Sequence, residues 1–332
     1  MILCFCGTLA YSQIDTSAIR KIIQDKQAEV GVAVLYKDKV YTLSNNRKYP
    51  LMSVFKFHVA VTALKKMEKE NIALDSMVYI EPGQMHANTY SPLRDKYPGQ
   101  RIHISYGDMI TYTITHSDNN TCDWLIGFAG GIEVVDAYIK SIGINAQNLT
   151  ETEAGMHENI MRCYNNWSTP LAVAELLKKV YSEAILTDEY FRFLEKAMLD
   201  CSTGTDKLKA GLPTGVRFGH KTGSSDRTEM GIKIGDGDAG VIYMPDGSKC
   251  YLVVIIKDSK ETDAGNAKIM ENIASAVYES ARLSSPAAWQ RIANPALRRN
   301  CRLCRSSQFA GIVDYELLTN RRCSHVPAII PT

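Results

Sequence analysis

The sequence predicts a mixed α/β (α+β) fold: an antiparallel sheet built from both chain ends, flanked by helices, with an all-helical lobe inserted between its halves. Two observations carry this expectation. Short apolar runs rich in β-branched residues and bounded by turn residues fall near the two ends. Between them the apolar residues recur at helical spacing. A sheet whose strands lie that far apart in sequence is assembled by bringing the ends together, and the seam between sheet and helical lobe is where a cleft is expected.

Taken in order, residues 19–27 have helical spacing, residues 30–36 read as a buried strand, and residues 40–43 return as a second strand after the turn Lys37-Asp38-Lys39. Residues 52–71 form a long helix whose front half is apolar almost all round, so its first turns belong in the interior. Helical segments continue at 104–115, 121–128, 132–142, 170–180 and 188–201. Strands return at 217–222, 239–244 and 250–257, with Pro245-Asp246-Gly247 turning between the last two. A helix over 264–283 closes the unit. The expected organisation is a sheet lobe at about 13–50 and 205–283 and a helical lobe at about 51–204.

Charge divides the chain. Up to Leu283 there are 31 basic and 34 acidic residues; beyond it there are 7 Arg, no Lys and 2 acids, which together give the net +2 of the 332 residues. So small a net charge argues against a nucleic-acid or membrane-surface binder. The abrupt loss of Lys marks residues 284–332 as a basic tail, expected to be appended or frameshifted sequence, disordered, and without functional residues. Its Cys301-x-x-Cys304 followed by Cys323 and His325 has the wrong second spacing for a zinc module. At the other end, residues 1–12 carry a short apolar run and then Ala10-Tyr11-Ser12, which reads as a truncated signal peptide and hence export to the periplasm. No stretch approaches the roughly 20 apolar residues of a membrane-spanning helix. Neither metal-ligand spacing nor a glycine-rich phosphate loop is present, so no cofactor or metal is expected; the protein is expected to be a monomer.

Three short elements carry chemistry. Ser53 and Lys56 stand at i and i+3 at the start of the buried helix, so the Lys56 ammonium can reach the Ser53 hydroxyl at the positive end of the helix dipole. Ser117-Asp118-Asn119 lies at a junction between helical segments. Lys221-Thr222-Gly223 ends a late strand and is followed by Ser224. A hydroxyl beside polar groups in one place and a Lys-Thr pair in another suit a site that moves a proton and grips an anionic acyl substrate.

In this order, at separations of 64 and 104 residues, the three elements resemble the S-x-x-K, S-D-N and K-T-G set of class A serine β-lactamases and penicillin-binding proteins. The likeness runs from about residue 17 to 283. Tyr49-Pro50-Leu51-Met52-Ser53-Val54-Phe55-Lys56 resembles the Bacteroidetes CfxA, CepA and PER-like branch. The resemblance implies a β-lactamase/DD-peptidase-like fold and a β-lactam, penicillin or cephalosporin, as substrate. It implies Ser53 as nucleophile, Lys56 and Ser117 as proton carriers, and the backbone N–H groups of Ser53 and Ser224 as oxyanion hole. Asn119, Lys221, Thr222, Gly223 and Ser224 are then substrate-binding, and Tyr90 is an aromatic gate.

An acid separates a lactamase from its rivals, since a DD-peptidase or a non-hydrolytic β-lactam sensor has no need of a base for deacylation. By resemblance Glu153 is that base and His157 stands in the same loop, with Glu151 the competing acid. Whether Lys56 or Glu153 takes the Ser53 proton in acylation stays open. Asp123 replaces an Asn that ties this loop down, which implies a rearranged loop, a wider pocket and cephalosporin use. Ala60 and Ile110 occupy the positions of the familiar disulfide. Lys207 stands where PER-like proteins have Arg, as counter-ion for the substrate carboxylate, although without Arg's bidentate fork.

Overall fold

The structure, a computed structural model, describes residues 14–283. The expectations for the signal segment and the basic tail lie outside these residues. Contacts gather Ile14–Ala281 into one compact unit. Its five-stranded antiparallel sheet contains β1 (Glu29–Tyr36), β2 (Lys39–Leu43), β3 (Phe218–Ser224), β4 (Lys233–Tyr243) and β5 (Lys249–Ser259), in the spatial order β2-β1-β5-β4-β3. The early strand β1 pairs with the late strand β5 from Glu29 against Lys257 to Tyr36 against Cys250. The sheet is therefore built from both ends of the unit, as the sequence predicts. The β1–β2 hairpin turns tightly between Tyr36 and Lys39, with Lys37 in the left-handed region that two-residue hairpin turns demand.

The helices are α1 (Thr16–Ile23), α2 (Lys56–Glu70), α3 (Tyr106–Thr115), α4 (Asn119–Ala129), α5 (Glu153–Glu158), α6 (Pro170–Ser182), α7 (Asp188–Leu199) and α8 (Asp263–Leu283), with shorter or peripheral ones at Pro92–Lys96 and Ile132–Ser141. Strand periodicity sorts the sheet side chains into two cores. Val32 and Val34 of β1, with Leu252 and Val254 of β5, meet Ile19 of α1 and Ile269, Ile273 and Val277 of α8. Ala33 and Leu35, with Val253 and Ile255, face the opposite core, which α2 enters with Phe57, Val61 and Leu64. Covered on both faces, β1 and β5 read as continuous apolar runs rather than alternating ones.

Three local expectations change. Residues 52–55 form a 3₁₀ turn and the α-helix starts only at Lys56, because the turn is pressed against the glycines of β3 and β4. Ile102–Ser105 is a strand paired with Met77–Ile80, its Ile102 and Ile104 buried and His103 exposed, and Ser105 caps α3 by accepting from Asp108 N at 3.0 Å. Strand β4 starts at Lys233, six residues earlier than expected. Lys233-Ile234-Gly235-Asp236-Gly237-Asp238 looks turn-like because glycine, not a branched residue, is required there: a Cβ at Gly235 would sit 2.8 Å from Met52 Cγ.

Candidate active site

The nucleophile candidate stands on two closely apposed backbones. Ser53 is the second residue of the 3₁₀ turn, and Met52 before it has φ 46°, a left-handed conformation that a non-glycine residue keeps only when its surroundings hold it. Strand β3 does the holding. A Cβ on Gly223 would lie 2.7 Å from Leu51 O and 2.8 Å from Ser53 N. Only glycine lets the strand backbone come this close to the turn, and Ser53 and Ser224, the expected oxyanion donors, ride on the two chains so apposed.

Lys56 is completely buried at the start of α2. Its ammonium donates to Ser117 O at 2.6 Å, Asn119 Oδ1 at 2.5 Å and Ser117 Oγ at 3.4 Å, and forms an ion pair with Glu153 Oε1 at 3.0 Å. Ser53 Oγ donates to the same Glu153 oxygen at 3.2 Å. The expected direct link between Lys56 and Ser53 is thus replaced, among the described residues, by a carboxylate that touches both.

Glu153 reaches this position as the first residue of α5. Thr152 caps that helix through Gly155 N, while Glu153 N and Ala154 N donate to the two oxygens of Asp123 at 2.7 and 2.8 Å. Asp123, on α4, therefore still fastens the loop, with both oxygens accepting. Its burial, and then the Glu153 charge, push its carboxyl up to about 6. Glu151 is engaged elsewhere, bound by Arg162 Nε at 2.7 Å and Asn165 Nδ2 at 2.8 Å. Asn166 Oδ1 braces the same loop by accepting from Thr150 N and Glu151 N.

Ser117 also has positive φ, 59°. Its hydroxyl accepts from Lys221 Nζ at 2.9 Å, so Ser117 joins the two buried lysines. Asp118 caps α4 through Thr121 N and accepts from Ser91 Oγ and Leu93 N, while Asn119 donates from N to Tyr90 O and from Nδ2 to Thr89 Oγ1 at 2.7 Å. These bonds strap the Tyr90 segment to the start of α4, with Tyr90 itself exposed at the cleft mouth.

On the sheet side, Lys221 is fully buried and also donates to Thr222 O at 2.8 Å. Burial, with Lys56 and Lys207 nearby, outweighs the anions around Lys221 and brings its ammonium down to about 7. Thr222 Oγ1 shares a hydrogen bond of 2.6 Å with Thr203 Oγ1. Lys207 departs from expectation: its ammonium is 2.6 Å from Asp236 Oδ1 and 3.2 Å from Gly223 O, and it does not line the cleft. A charge already matched by a buried carboxylate is a poor counter-ion for a second one.

Nine of the twelve expected site residues line one cleft of about 500 Å³ between α5, the Tyr90 segment and β3. The exceptions are Lys56 and Lys221, which lie just beneath it, and Lys207. His157 is at the rim. Thr203 and Asp226, also in the wall, carry no sequence signal, nor do Thr89, which steadies Asn119, and Asp236, which neutralises Lys207. Among the described residues no cluster of His, Cys, Asp and Glu is placed to hold a metal ion.

Ser53 and the Glu153 carboxylate line one cleft with two buried lysines beneath it, and the β-lactamase enzyme family profile matches the chain over residues 16–281. The chain belongs to that family. A β-lactamase of Bacteroides uniformis is 45% identical over 267 residues, covering 80% of this chain and 90% of that one. The extended-spectrum β-lactamase PER-1 of Pseudomonas aeruginosa is 33% identical over 285 residues, covering 82% and 91%. The crystal structure of a class A β-lactamase from Bacteroides cellulosilyticus DSM 14838 superposes with a TM-score of 0.79 at 48% identity, covering 80% and 96%. The enzyme is a class A serine β-lactamase, a hydrolase of β-lactams and so an antibiotic-resistance protein. The family read from the three motifs holds, and the DD-peptidase and sensor alternatives are set aside.

Proposed function

We propose that hydrolysis runs through an acyl-enzyme on Ser53 and that Glu153 is the base in both halves of the reaction. The observation that carries this is the Glu153 carboxylate oxygen within 3.2 Å of Ser53 Oγ and 3.0 Å of Lys56 Nζ. Lys56 donates to Ser117 O, Ser117 Oγ and Asn119 Oδ1, and the acceptor of the Ser53 hydroxyl is the Glu153 carboxylate. Ser53 Oγ attacks the β-lactam carbonyl carbon as its proton passes to Glu153. The oxyanion is received by the N–H groups of Ser53 and Ser224. The C–N bond then breaks, and the leaving nitrogen takes a proton from Ser117 Oγ; Lys56 resupplies Ser117 and recovers its proton from Glu153, which returns to the carboxylate. In the second half Glu153 takes a proton from water, the hydroxide attacks the ester carbon, and Ser53 leaves as alkoxide and takes that proton from Glu153, which frees the carboxylate for the next cycle.

Lys221, Thr222 and Ser224 grip the substrate carboxylate and Asn119 the side-chain amide, with Gly223 giving the approach and Tyr90 and His157 framing the mouth. Lys207, matched by Asp236, supports the Gly223 strand and is not assigned to the substrate. Residues 13–283 are assigned all of the chemistry, acting as a monomer in the periplasm. No described helix is long and apolar enough to cross a membrane.

The test is Glu153→Gln assayed with nitrocefin. The expected outcome is a stable adduct visible by intact mass and steady-state turnover lowered by about 10³-fold, the scale of a lost general base. Unchanged steady-state hydrolysis in that variant overturns the assignment.

A further inference from the structure

The carbonyl of Gly223 and the N–H of Ser224 are the two ends of one peptide group, and Lys207 holds the carbonyl end. Lys207 Nζ donates to Gly223 O at 3.2 Å and lies 2.6 Å from Asp236 Oδ1. This ion pair is largely shut away from water, with the Lys207 side chain 11% and the Asp236 side chain 2% exposed. Gly223 and Ser224 line the cleft, whereas Lys207 and Asp236 do not. Lys207 therefore meets the cleft wall from behind, at a backbone atom. Its place there is fixed from several sides. Lys207 N donates to Gly204 O at 3.0 Å, and Leu208 N donates to Asp238 Oδ2 at 3.2 Å, which ties the segment to β4. From α8, Asn266 Nδ2 donates to the second oxygen of Asp236 at 3.3 Å.

The strand register sets which way the peptide faces. Ser225 N donates to Gly235 O at 2.8 Å, and Ser224 stands opposite Asp236 in the ladder. Hydrogen-bonded and unbonded pairs alternate along an antiparallel ladder, so Ser224 and Asp236 form an unbonded pair and Gly223 and Gly237 a bonded one. Gly223 O thus points towards β4, and Ser224 N–H points away from it. Because β3 is the outermost strand of the five, no strand of that sheet takes up this N–H. A carbonyl oxygen has two lone pairs, so Gly223 O can serve the ladder and Lys207 together.

We infer that Lys207 is a positioning residue for the oxyanion hole: by donating to Gly223 O it polarises the 223–224 peptide and fixes its plane, which makes Ser224 N–H a stronger and better aimed donor. Peptide resonance couples the two ends, so density drawn to the carbonyl oxygen is drawn from the nitrogen. An ionised donor does this more strongly than a neutral one, and hydrogen bonds in series strengthen one another by roughly 10–30% each. The gain falls mainly on the transition state, where the substrate oxygen carries charge, and so acts on kcat more than on KM. Acylation and deacylation both pass through such an oxyanion, and both benefit. Asp236 does not cancel the effect, because the carbonyl needs only one of the three ammonium hydrogens; the carboxylate keeps the charge buried at this spot.

The role of Lys207 rests on the assignment of Ser224 N–H to the oxyanion. The test compares wild type, Lys207→Met and the double variant Lys207→Met/Asp236→Leu in kcat and KM for ampicillin and in Tm. Each change is repeated on Glu153→Gln, where the infrared ester-carbonyl band of the Ser53 adduct is recorded before and after denaturation. Methionine cannot donate to Gly223 O, and leucine removes the carboxylate that the single variant strands. Both variants are expected to lose about fivefold in kcat, roughly the 30% share, on the free-energy scale, of a donor worth about 10²–10³ in rate. KM stays within about twofold, and the ester band moves to higher wavenumber, towards that of the denatured adduct. The double variant is expected to recover Tm but not kcat, and it carries the test alone should the single one not fold. A folded variant with wild-type kcat overturns the proposal. So does a double variant that recovers kcat along with Tm, which would leave Lys207 as no more than the partner of Asp236 in folding. A band that is shifted from the denatured position in Glu153→Gln but unmoved by loss of Lys207 overturns it too, with the oxyanion hole left standing. No adduct on Ser53, or a Glu153→Gln band already at the denatured position, would instead sink the mechanism on which the role rests.

Discussion

The two walls of the cleft each bury a lysine completely and treat it in opposite ways. On the helical wall, Lys56 is surrounded by acceptors that include the Glu153 carboxylate. On the sheet wall, Lys221 donates to the neutral Ser117 Oγ and Thr222 O, and among the described residues no carboxylate lies within ion-pair distance of it. A third lysine, Lys207, stands behind the sheet wall and has its own partner in Asp236. The difference supports the roles proposed for them. A cation already matched to an anion organises the catalytic machinery, whereas a cation left with neutral partners is available to an incoming anionic substrate.

The strongest way to break this contrast is Lys56→Ala. It leaves Glu153 and Asp123, two neighbouring acids, without their shared cation, and kcat/KM is expected to fall by about 10³-fold or more, measured with nitrocefin. An effect confined to KM would mean that Lys56 serves the substrate and not the chemistry. Next comes Gly223→Ala, which places a methyl 2.7 Å from Leu51 O and 2.8 Å from Ser53 N. Moving the nucleophile turn off β3 is expected to cost about 10²-fold in kcat, and wild-type kcat in a variant of normal Tm would refute the account of that glycine.

Lys207→Met sharpens the comparison from the other side. It strands the buried Asp236 carboxylate, so a stability loss of about 3 kcal/mol is expected in urea denaturation, while KM for a penicillin changes little. A large KM rise with unchanged stability would return Lys207 to the substrate-binding set. The smallest effect is in the pH dependence of stability. Lys221 is depressed to about 7 in the fold against 10.5 when exposed, so between those values the unfolded chain binds the extra proton. Stability from this group therefore rises with pH across that window, and denaturation at pH 7 and 9.5 is expected to show less of a rise in Lys221→Met than in wild type.

Much of this could be read from the chain, for identifiable reasons. The apolar runs of β1 and β5 and the all-round apolar front of α2 are direct consequences of burial on every side, and burial leaves its mark on composition. The Ser53, Ser117 and Lys221 motifs were visible because each packs its chemistry into three or four consecutive residues. What escaped has no local signature. Strand β4 begins in a glycine-rich stretch that mimics a turn, since Gly235 answers to Met52 and Pro50 far away in sequence. Lys207 matched an expected position but not the expected partner, because Asp236 comes from a strand 29 residues on.

By itself the sequence determined the mixed fold, the order of its elements, and which serine, lysines and acid stand in the motifs to which the chemistry is proposed to belong, because periodicity and short motifs are properties of neighbouring residues. Tertiary structure alone decided who pairs with whom. It set Glu153 rather than Lys56 against the Ser53 hydroxyl, turned Lys207 to Asp236, and left Lys221 hydrogen-bonded to neutral groups. The physical reason is that a buried charge takes its meaning from what lies within a few ångströms of it, and those neighbours arrive from strands and helices that only the folded chain brings together.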